Sequence, residues 1–336
     1  MTAPHSAPDP AIVFDALNAY QRTEALKAAI ELDLFSAISA GPTSAAELAG
    51  SLQATERGVR ILSDFLVICG LLTKENGKYG LTPTSATFLD RKSSSYLGGI
   101  VGFVSHSVLT DNFKHLATAV RTGRLELGEH GTTSPDFALW VDFAKSMIPL
   151  VMPAAMQIPK ILGPIGKGSV LDIAAGHGMF GIAIAQENPE ATITAMDWSK
   201  VLDVAEQNAR AAGVGHRYRR LNGDAFQTPM GGPYDAVLLT NFLHHFDHAQ
   251  NVGLLKKVRA ALKPEGKALT LEFVPNPDRV TPPVAAAFAL MMLGSTPRGD
   301  AYTFQELEAM FHEAGFAGSE AHELKMSPET LVVSRA

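Results

Sequence analysis

From residue 168 onward the sequence alternates between short apolar runs of strand character and longer stretches of helical periodicity. The runs fall at 169–174, 192–196, 217–221, 236–239 and 268–273. A helix inserted between successive strands lets them pair in parallel, with the helices covering both faces of the sheet. The expectation is an α/β domain built on a doubly wound, mostly parallel sheet. Ligands in this class sit beyond the carboxyl ends of the strands, so the chemistry is sought there.

The first run leads through Asp172 into Gly176-x-Gly178-x-x-Gly181. Glycines at such a turn let the backbone fold tightly and approach a ligand closely. The letters match the dinucleotide-binding pattern, in which a pyrophosphate rests on a helix N-terminus. Asp172 would oppose a pyrophosphate and suits a cationic ligand. The second run ends at Met196-Asp197-Trp198; an acid there accepts from both ribose hydroxyls, whether of a nicotinamide dinucleotide or of S-adenosylmethionine. The third ends Asn222-Gly223-Asp224-Ala225-Phe226, where Asp224 is placed to accept from an adenine amino group and Phe226 to lie near the ring. Each Asp alone also reads as a helix N-cap; three at successive strand ends point to a nucleoside ligand. The fourth run enters Asn241-Phe242-Leu243-His244-His245-Phe246-Asp247-His248. Metal binding is disfavoured, because adjacent histidines do not share a helix face and no nearby Cys or His set completes a site. The fifth run ends at Glu272, and a carboxylate beside an imidazole orients the ring and stabilises its cation. His244 and Glu272 thus read as a base and its orienter.

The N-terminal half has a different rhythm. Val13, Leu17, Tyr20 and Leu26 lie near one face of a helical stretch at 11–32, continued by Leu34, Phe35 and Ile38. Ser44 with Glu47 reads as a capping box opening a helix at 45–52. Thr55 precedes a second helix to about residue 68, and a hairpin follows at 71–81. Helix, helix, hairpin is the winged-helix plan. Glu56, Arg57, Arg60 and Asp64 cancel in charge on the helix that would enter a DNA groove, whereas DNA affinity needs excess Lys and Arg; an interaction module is favoured. Residues 95–158 return to helical periodicity with a polar break at 126–134. There Trp140, Phe143 and Met147, near Phe137, share one face, as a core stripe or as a wall for a flat ligand.

The net charge of -6 lends no support to a nucleic-acid or anionic-membrane partner. The single cysteine, Cys69, forms no internal disulfide and suits a reducing cytoplasm. The first nine residues lack the basic and apolar regions of a secretory signal. The apolar stretch 284–293 is about half the length of a membrane span and reads as a buried helix near a pocket.

These residues together resemble the S-adenosylmethionine-dependent small-molecule O-methyltransferases of the caffeic acid type, in their bacterial branch. The resemblance covers nearly the whole chain. It is carried by Val170-Leu171-Asp172 through Gly178, by Asn222-Gly223-Asp224, by Leu243-His244-His245-Phe246, and by Pro297 to Thr303 before Phe304. It implies a winged-helix dimerisation domain at 1–92, a helical linker at 93–160 that contributes to the substrate pocket, and a Rossmann-like class I methyltransferase domain at 161–336. It implies S-adenosylmethionine held by Asp172, Gly176, Gly178, Asp197, Trp198, Gly223, Asp224, Ala225, Phe226 and Asn241. His244 is then the general base, Glu272 its support, and Trp140, Phe143, Met147, His245 and Met292 fall in the pocket for a small aromatic acceptor. A homodimer is implied, with N-terminal segments lining the partner's pocket, and no metal, nucleic acid or membrane. Three positions depart from the family pattern. Ala301 stands where a second supporting Glu is usual; either Asp300 beside it substitutes or one support is missing. Ala174 and Ala175 replace glycines, and His245 stands where plant members often have Asp.

A phenol, with a pKa of about 10, gives its proton to an imidazole of about 6.5 at a cost of roughly 5 kcal/mol in water. An aliphatic alcohol costs far more, so a phenolic acceptor is expected. The competing readings are a nicotinamide-dependent oxidoreductase, from the literal glycine pattern and Asp197, and a winged-helix DNA-binding regulator.

Overall fold

The computed structural model describes residues 8–124 and 139–336. The chain divides into two compact units, one ending at Ser105 and one beginning at His106.

In the first unit the helical stretch at 11–32 is divided. Helices Ala11–Leu17 and Ala19–Glu31 meet at Asn18, whose backbone leaves the helical region with ψ near 4°. The apolar stripe divides with it. Val13, Leu17 and Tyr20 are 59%, 67% and 64% exposed, while Leu26 packs onto a core of Leu34, Phe35, Ile38, Leu48, Leu66 and Tyr79. The capping box at Ser44 is present: its hydroxyl accepts the N–H of Glu47, and the Glu47 carboxylate accepts the N–H of Ser44 at 2.7 Å. Such a cap contributes about 1 kcal/mol to helix Ala45–Ser51. Thr55 caps helix Glu56–Ile68 through its hydroxyl alone, which accepts the Gly58 N–H at 3.2 Å. Three strands follow the winged plan. β1 (Thr43–Ser44) pairs with β3 (Lys78–Leu81), which pairs with β2 (Leu72–Glu75). Asn76 and Gly77 both adopt positive φ in the hairpin turn, the geometry that matches the twist of the two strands. Asp64 engages both Arg60 and Lys74, so these cations are neutralised within the unit.

The second unit holds a seven-stranded sheet of β4 (Ser169–Ile173), β5 (Thr192–Asp197), β6 (Tyr218–Asn222), β7 (Tyr234–Thr240), β8 (Leu262–Glu272), β9 (Gly318–Glu323) and β10 (Thr330–Arg335), in the order β6-β5-β4-β7-β8-β10-β9. The first five strands of the chain order are parallel; β10 lies antiparallel to both β8 and β9. The register lines the strand ends up in a row: Ile173 sits beside Met196 and Leu239, Asp197 beside Asn222, and Thr240 beside Leu271. The central strands are continuous Val/Ile/Leu runs because helices cover both faces, and the two faces have separate cores. One contains Val170, Ile182, Leu202 and Leu269, the other Leu171, Val237, Leu255 and Phe311.

The apolar stretch near residue 290 forms helix Pro283–Ser295, of 13 residues. At 1.5 Å per residue it is about 20 Å long, against roughly 30 Å of bilayer hydrocarbon. No single described helix is long and apolar enough to cross a membrane. The polar break at 126–134 and Phe137 lie outside the described residues.

Candidate active site

β4 delivers the chain into a loop where Ala174, Gly176 and Gly178 take positive φ of 52°, 56° and 76°. Ala174 pays about 1 kcal/mol for that conformation. Gly178 is required on space as well, since a Cβ there would lie 2.5 Å from the Tyr218 hydroxyl and 3.0 Å from Ala205 Cβ. Asp172 is fully buried beneath this loop. Its Oδ2 accepts the Gly181 N–H at 3.2 Å, and its Oδ1 has no hydrogen-bond partner among the described residues. Burial, reinforced by the charge of Asp197, pushes its carboxyl up to about 7. Asp197 reaches across from β5: Oδ2 accepts the Gly176 N–H at 2.9 Å and Oδ1 the Trp198 N–H at 2.7 Å. Burial raises it to about 6 in spite of those bonds. The Gly223 N–H reaches the Asp197 carbonyl, and a Cβ on Gly223 would overlap the Thr228 side chain. Asp224 accepts the Phe226 N–H at 2.8 Å, and Ala225 is buried behind it.

Two of the free donors at the start of helix Met179–Glu187 are already used. The Met179 N–H goes to His177 Nδ1 at 3.1 Å, the Gly181 N–H to Asp172, and the Ile182 N–H to the Gly178 carbonyl. Burial holds the His177 ring down to about 4, the neutral state its acceptor role needs. A pyrophosphate needs such helix-terminal donors; here those of Met179 and Gly181 are spent inside the protein. The Lys257 ammonium is likewise engaged, by the carbonyls of Ala225, Phe226 and Thr228. What remains is a loop floored by carboxylates, which suits a cation.

β7 ends at Thr240, and Asn241 turns the chain at φ 54°, its N–H held by the Leu271 carbonyl. The 3-10 turn Leu243–His245 follows. One oxygen of Glu272 closes this turn, accepting the N–H groups of Phe242 at 3.0 Å, Leu243 at 2.8 Å and His244 at 3.4 Å. The other lies 2.5 Å from His244 Nδ1. Both side chains are buried. A carboxylate only accepts, so Nδ1 carries the hydrogen and Nε2 is the basic nitrogen of the ring. The Asn251 amide donates to the carbonyls of Leu243 and Phe246, and the Tyr302 hydroxyl to that of Phe246.

Asp300 does not take the place of the absent second Glu. Its N–H holds the His244 carbonyl, but its carboxylate accepts from the Ala301 N–H and faces Arg279 at 3.6 Å. Ala301 is fully buried.

The walls of the site are aromatic. The Trp140 ring meets Phe143 edge-on at 5.3 Å and His245 at 5.7 Å. Helix Leu139–Ser146 packs with Trp198 against Val201 and Val204. Met147 is the N-cap of the next helix, Ile148–Ala155, and its N–H still bonds the Phe143 carbonyl at 3.0 Å. His245 is kept neutral by burial, its value driven well down, and its Nδ1 has no hydrogen-bond partner among the described residues. Met292 is buried one turn beyond Phe288 on helix Pro283–Ser295. Phe226 packs with Phe246 and Phe242. Sequence reasoning missed Phe288, whose ring stands edge-on to His244 at 4.8 Å, and Phe273, which stacks on Phe288 at 4.1 Å. The signal was present: Phe273 follows Glu272, and Phe288 lies in the apolar stretch. It also missed Glu329, which has no distinguishing neighbours in the sequence and accepts from the Asn241 amide at 2.6 Å.

Comparison with known proteins finds relatives that match over most of the chain's length. The O-methyltransferase domain family model matches residues 113–317, and the O-methyltransferase dimerisation domain model matches 14–91. The solved structure of a provisionally assigned O-methyltransferase of Nostoc punctiforme is 48% identical, with a TM-score of 0.96 over 98% of this chain and 100% of that one. The 3-hydroxy-5-methyl-1-naphthoate 3-O-methyltransferase of Streptomyces sahachiroi is 28% identical over 91% of this chain and 89% of its own length. The acetylserotonin O-methyltransferase of Mus musculus is 28% identical over 91% and 83%.

Proposed function

We propose, from the premise that this chain belongs to the O-methyltransferase family, that it transfers a methyl group from S-adenosylmethionine to the hydroxyl of a small aromatic acceptor, with His244 as general base. The observation that carries the reading is the single carboxylate of Glu272, which closes the turn and orients the His244 ring at once.

The residues around the glycine loop fit a cationic methyl donor. Asp172, Asp197 and Asp224 supply negative charge, and Gly176, Gly178 and Gly223 leave the backbone open to approach, with Trp198, Ala225, Phe226 and Asn241 around them. When bound, the donor supplies an electrophilic methyl group. The protein's own task is to hold the acceptor hydroxyl in line, exclude water and take the proton. Holding two reactants in line removes much of the barrier. His244 Nε2 accepts the hydroxyl proton as the new C–O bond forms, and Glu272 stabilises the resulting imidazolium. An aromatic acceptor fits the walls of Trp140, Phe143, His245 and Phe288, with Met147 and Met292 at their margins. The naphthoate-methylating relative supports a phenolic hydroxyl.

Residues 1–92 serve dimerisation, 93–160 link and help to enclose the acceptor, and 161–336 bind the donor. The exposed stripe of Val13, Leu17 and Tyr20 supports a homodimer, and the single cysteine suits the cytoplasm. The test is calorimetric titration with S-adenosylhomocysteine against NADH, followed by a phenol screen with wild type and His244→Ala. We expect binding of S-adenosylhomocysteine alone and a loss of about 10²- to 10⁴-fold in kcat for the variant. A variant within severalfold of wild type overturns the base assignment.

A further inference from the structure

A second buried carboxylate meets the catalytic turn. Glu272 closes β8, and its partner in register on the antiparallel neighbour is Thr330, the first residue of β10. Glu329 therefore reaches the same end of the sheet one residue earlier, with its side chain buried. One of its oxygens accepts from Asn241 Nδ2 at 2.6 Å, the other from the Ser327 hydroxyl at 3.0 Å. Asn241 is the residue that turns β7 into the His244 loop, in a left-handed conformation that its surroundings must hold.

A buried carboxylate is costly unless it is paired. Among the described residues no lysine or arginine pairs with Glu329. The titratable groups it feels are Glu272 on β8, which repels its charge, and His244 on the turn, which favours it. The cation available to Glu329 is thus the imidazolium that turnover creates.

We propose that Glu329 is a positioning residue for the base: an anion, anchored through Asn241 beside the His244–Glu272 pair, that stabilises the protonated ring when the acceptor's proton arrives. The influence is reciprocal, because a charge on His244 that favours ionised Glu329 is favoured by it to the same extent. Burial pushes the Glu329 carboxyl above the usual range against its two hydrogen bonds, so its charge is lost as the medium turns acidic and the support goes with it. The inference rests on the reading of His244 as proton acceptor.

Glu329→Gln tests it, since the amide keeps an acceptor for Asn241 and removes only the charge. The measurements are kcat against pH with a phenol that the wild type methylates, both KM values, S-adenosylhomocysteine affinity and Tm. The expected result is kcat lower by about tenfold, KM values within about twofold, and an acidic limb displaced to lower pH by about half a unit or more. Glu329→Asp, which retains the charge, should return the limb toward wild type. A Glu329→Gln profile that superposes on wild type overturns the proposal and leaves Glu329 a hydrogen-bond anchor only. Should Glu329→Gln fail to fold, Ser327→Ala removes one donor from the carboxylate and should move the limb upward; an unmoved limb there overturns the proposal equally. His244→Ala separates the two readings: activity retained in that variant defeats the base assignment itself, whereas activity lost there with an unmoved Glu329→Gln limb defeats the role of Glu329 alone.

Discussion

The main-chain carbonyl of His244 accepts the N–H of Asp300 at 3.0 Å, and Gly299 lies so close that a Cβ there would overlap the same carbonyl oxygen. The turn that carries His244 is thus held by residues distant in sequence. Gly299→Ala has to displace the turn or the segment that carries residue 299, and near-attack geometry tolerates little displacement. We expect kcat to fall by about tenfold or more with donor affinity within about twofold. Steady-state kinetics beside calorimetry checks this, and equal losses in both would point to general unfolding.

Glu272→Gln separates the two tasks of that side chain. The amide oxygen can still accept the N–H groups of the turn, but its NH₂ then faces His244 Nδ1 and forces the other tautomer. The Nε2 that should accept a proton then carries one. We expect kcat to drop by about 10²-fold or more, with circular dichroism and donor binding close to wild type. Glu272→Ala should in addition destabilise the fold by about 1–3 kcal/mol through the buried N–H groups left unpaired.

The acids under the glycine loop make donor affinity depend on pH. Asp172 and Asp197 have carboxyls raised to about 7 and about 6, so above neutrality both are ionised and attract a ligand of net positive charge. As pH falls through about 7 and then about 6 that attraction is lost. S-adenosylmethionine, with its sulfonium, should weaken more than S-adenosylhomocysteine, which lacks one. We expect the ratio of the two Kd values to change by about fivefold between pH 8 and pH 5.5. A constant ratio would remove these carboxylates from cofactor discrimination. The sign for stability is opposite: carboxyls raised above their unfolded values cost stability once ionised, so Asp172 and Asp197 lower the stability of the ligand-free protein as pH rises from about 4 to about 7, while the buried neutral rings of His177 and His245 act in the other direction over the lower part of that range.

Gly178 and Tyr218 should behave as a coupled pair. Gly178→Ala places a methyl 2.5 Å from the Tyr218 hydroxyl and should weaken S-adenosylhomocysteine binding by about tenfold or more. Tyr218→Phe removes that oxygen, which has no hydrogen-bond partner among the described residues, and should recover part of the loss in the double variant. Full additivity of the two effects would show that backbone strain alone is responsible.

How much of this was legible beforehand varies with the kind of signal. The Ser44–Glu47 capping box, the strand ends and the His244–Glu272 pair were readable because each is local or follows from strand order. The break at Asn18 was not, since no Pro or Gly marks it and the helical periodicity runs straight through. β9 and β10 were missed because the antiparallel pair at the sheet edge breaks the strand–helix alternation, and β9 is mostly exposed polar residues. Glu329 went with them, since it gains meaning only when β10 is laid beside β8. The direction of the Asp300 side chain depends on Arg279, some twenty residues away in the chain, which no local pattern reports. Phe288 was within a stretch already noted as apolar, but the ring that would meet His244 could not be chosen from periodicity.

The shared duty of Glu272 bears on how such an enzyme can change. One oxygen holds the turn and the other orients the His244 ring, so a lineage that keeps this carboxylate to hold the turn keeps the ring oriented with it. On the proposed reading, new acceptors are accommodated by exchanging the rings at Trp140, Phe143 and Phe288, which lie outside the turn Leu243–His245. Diversification of specificity around a fixed chemistry is built into the way one carboxylate is divided.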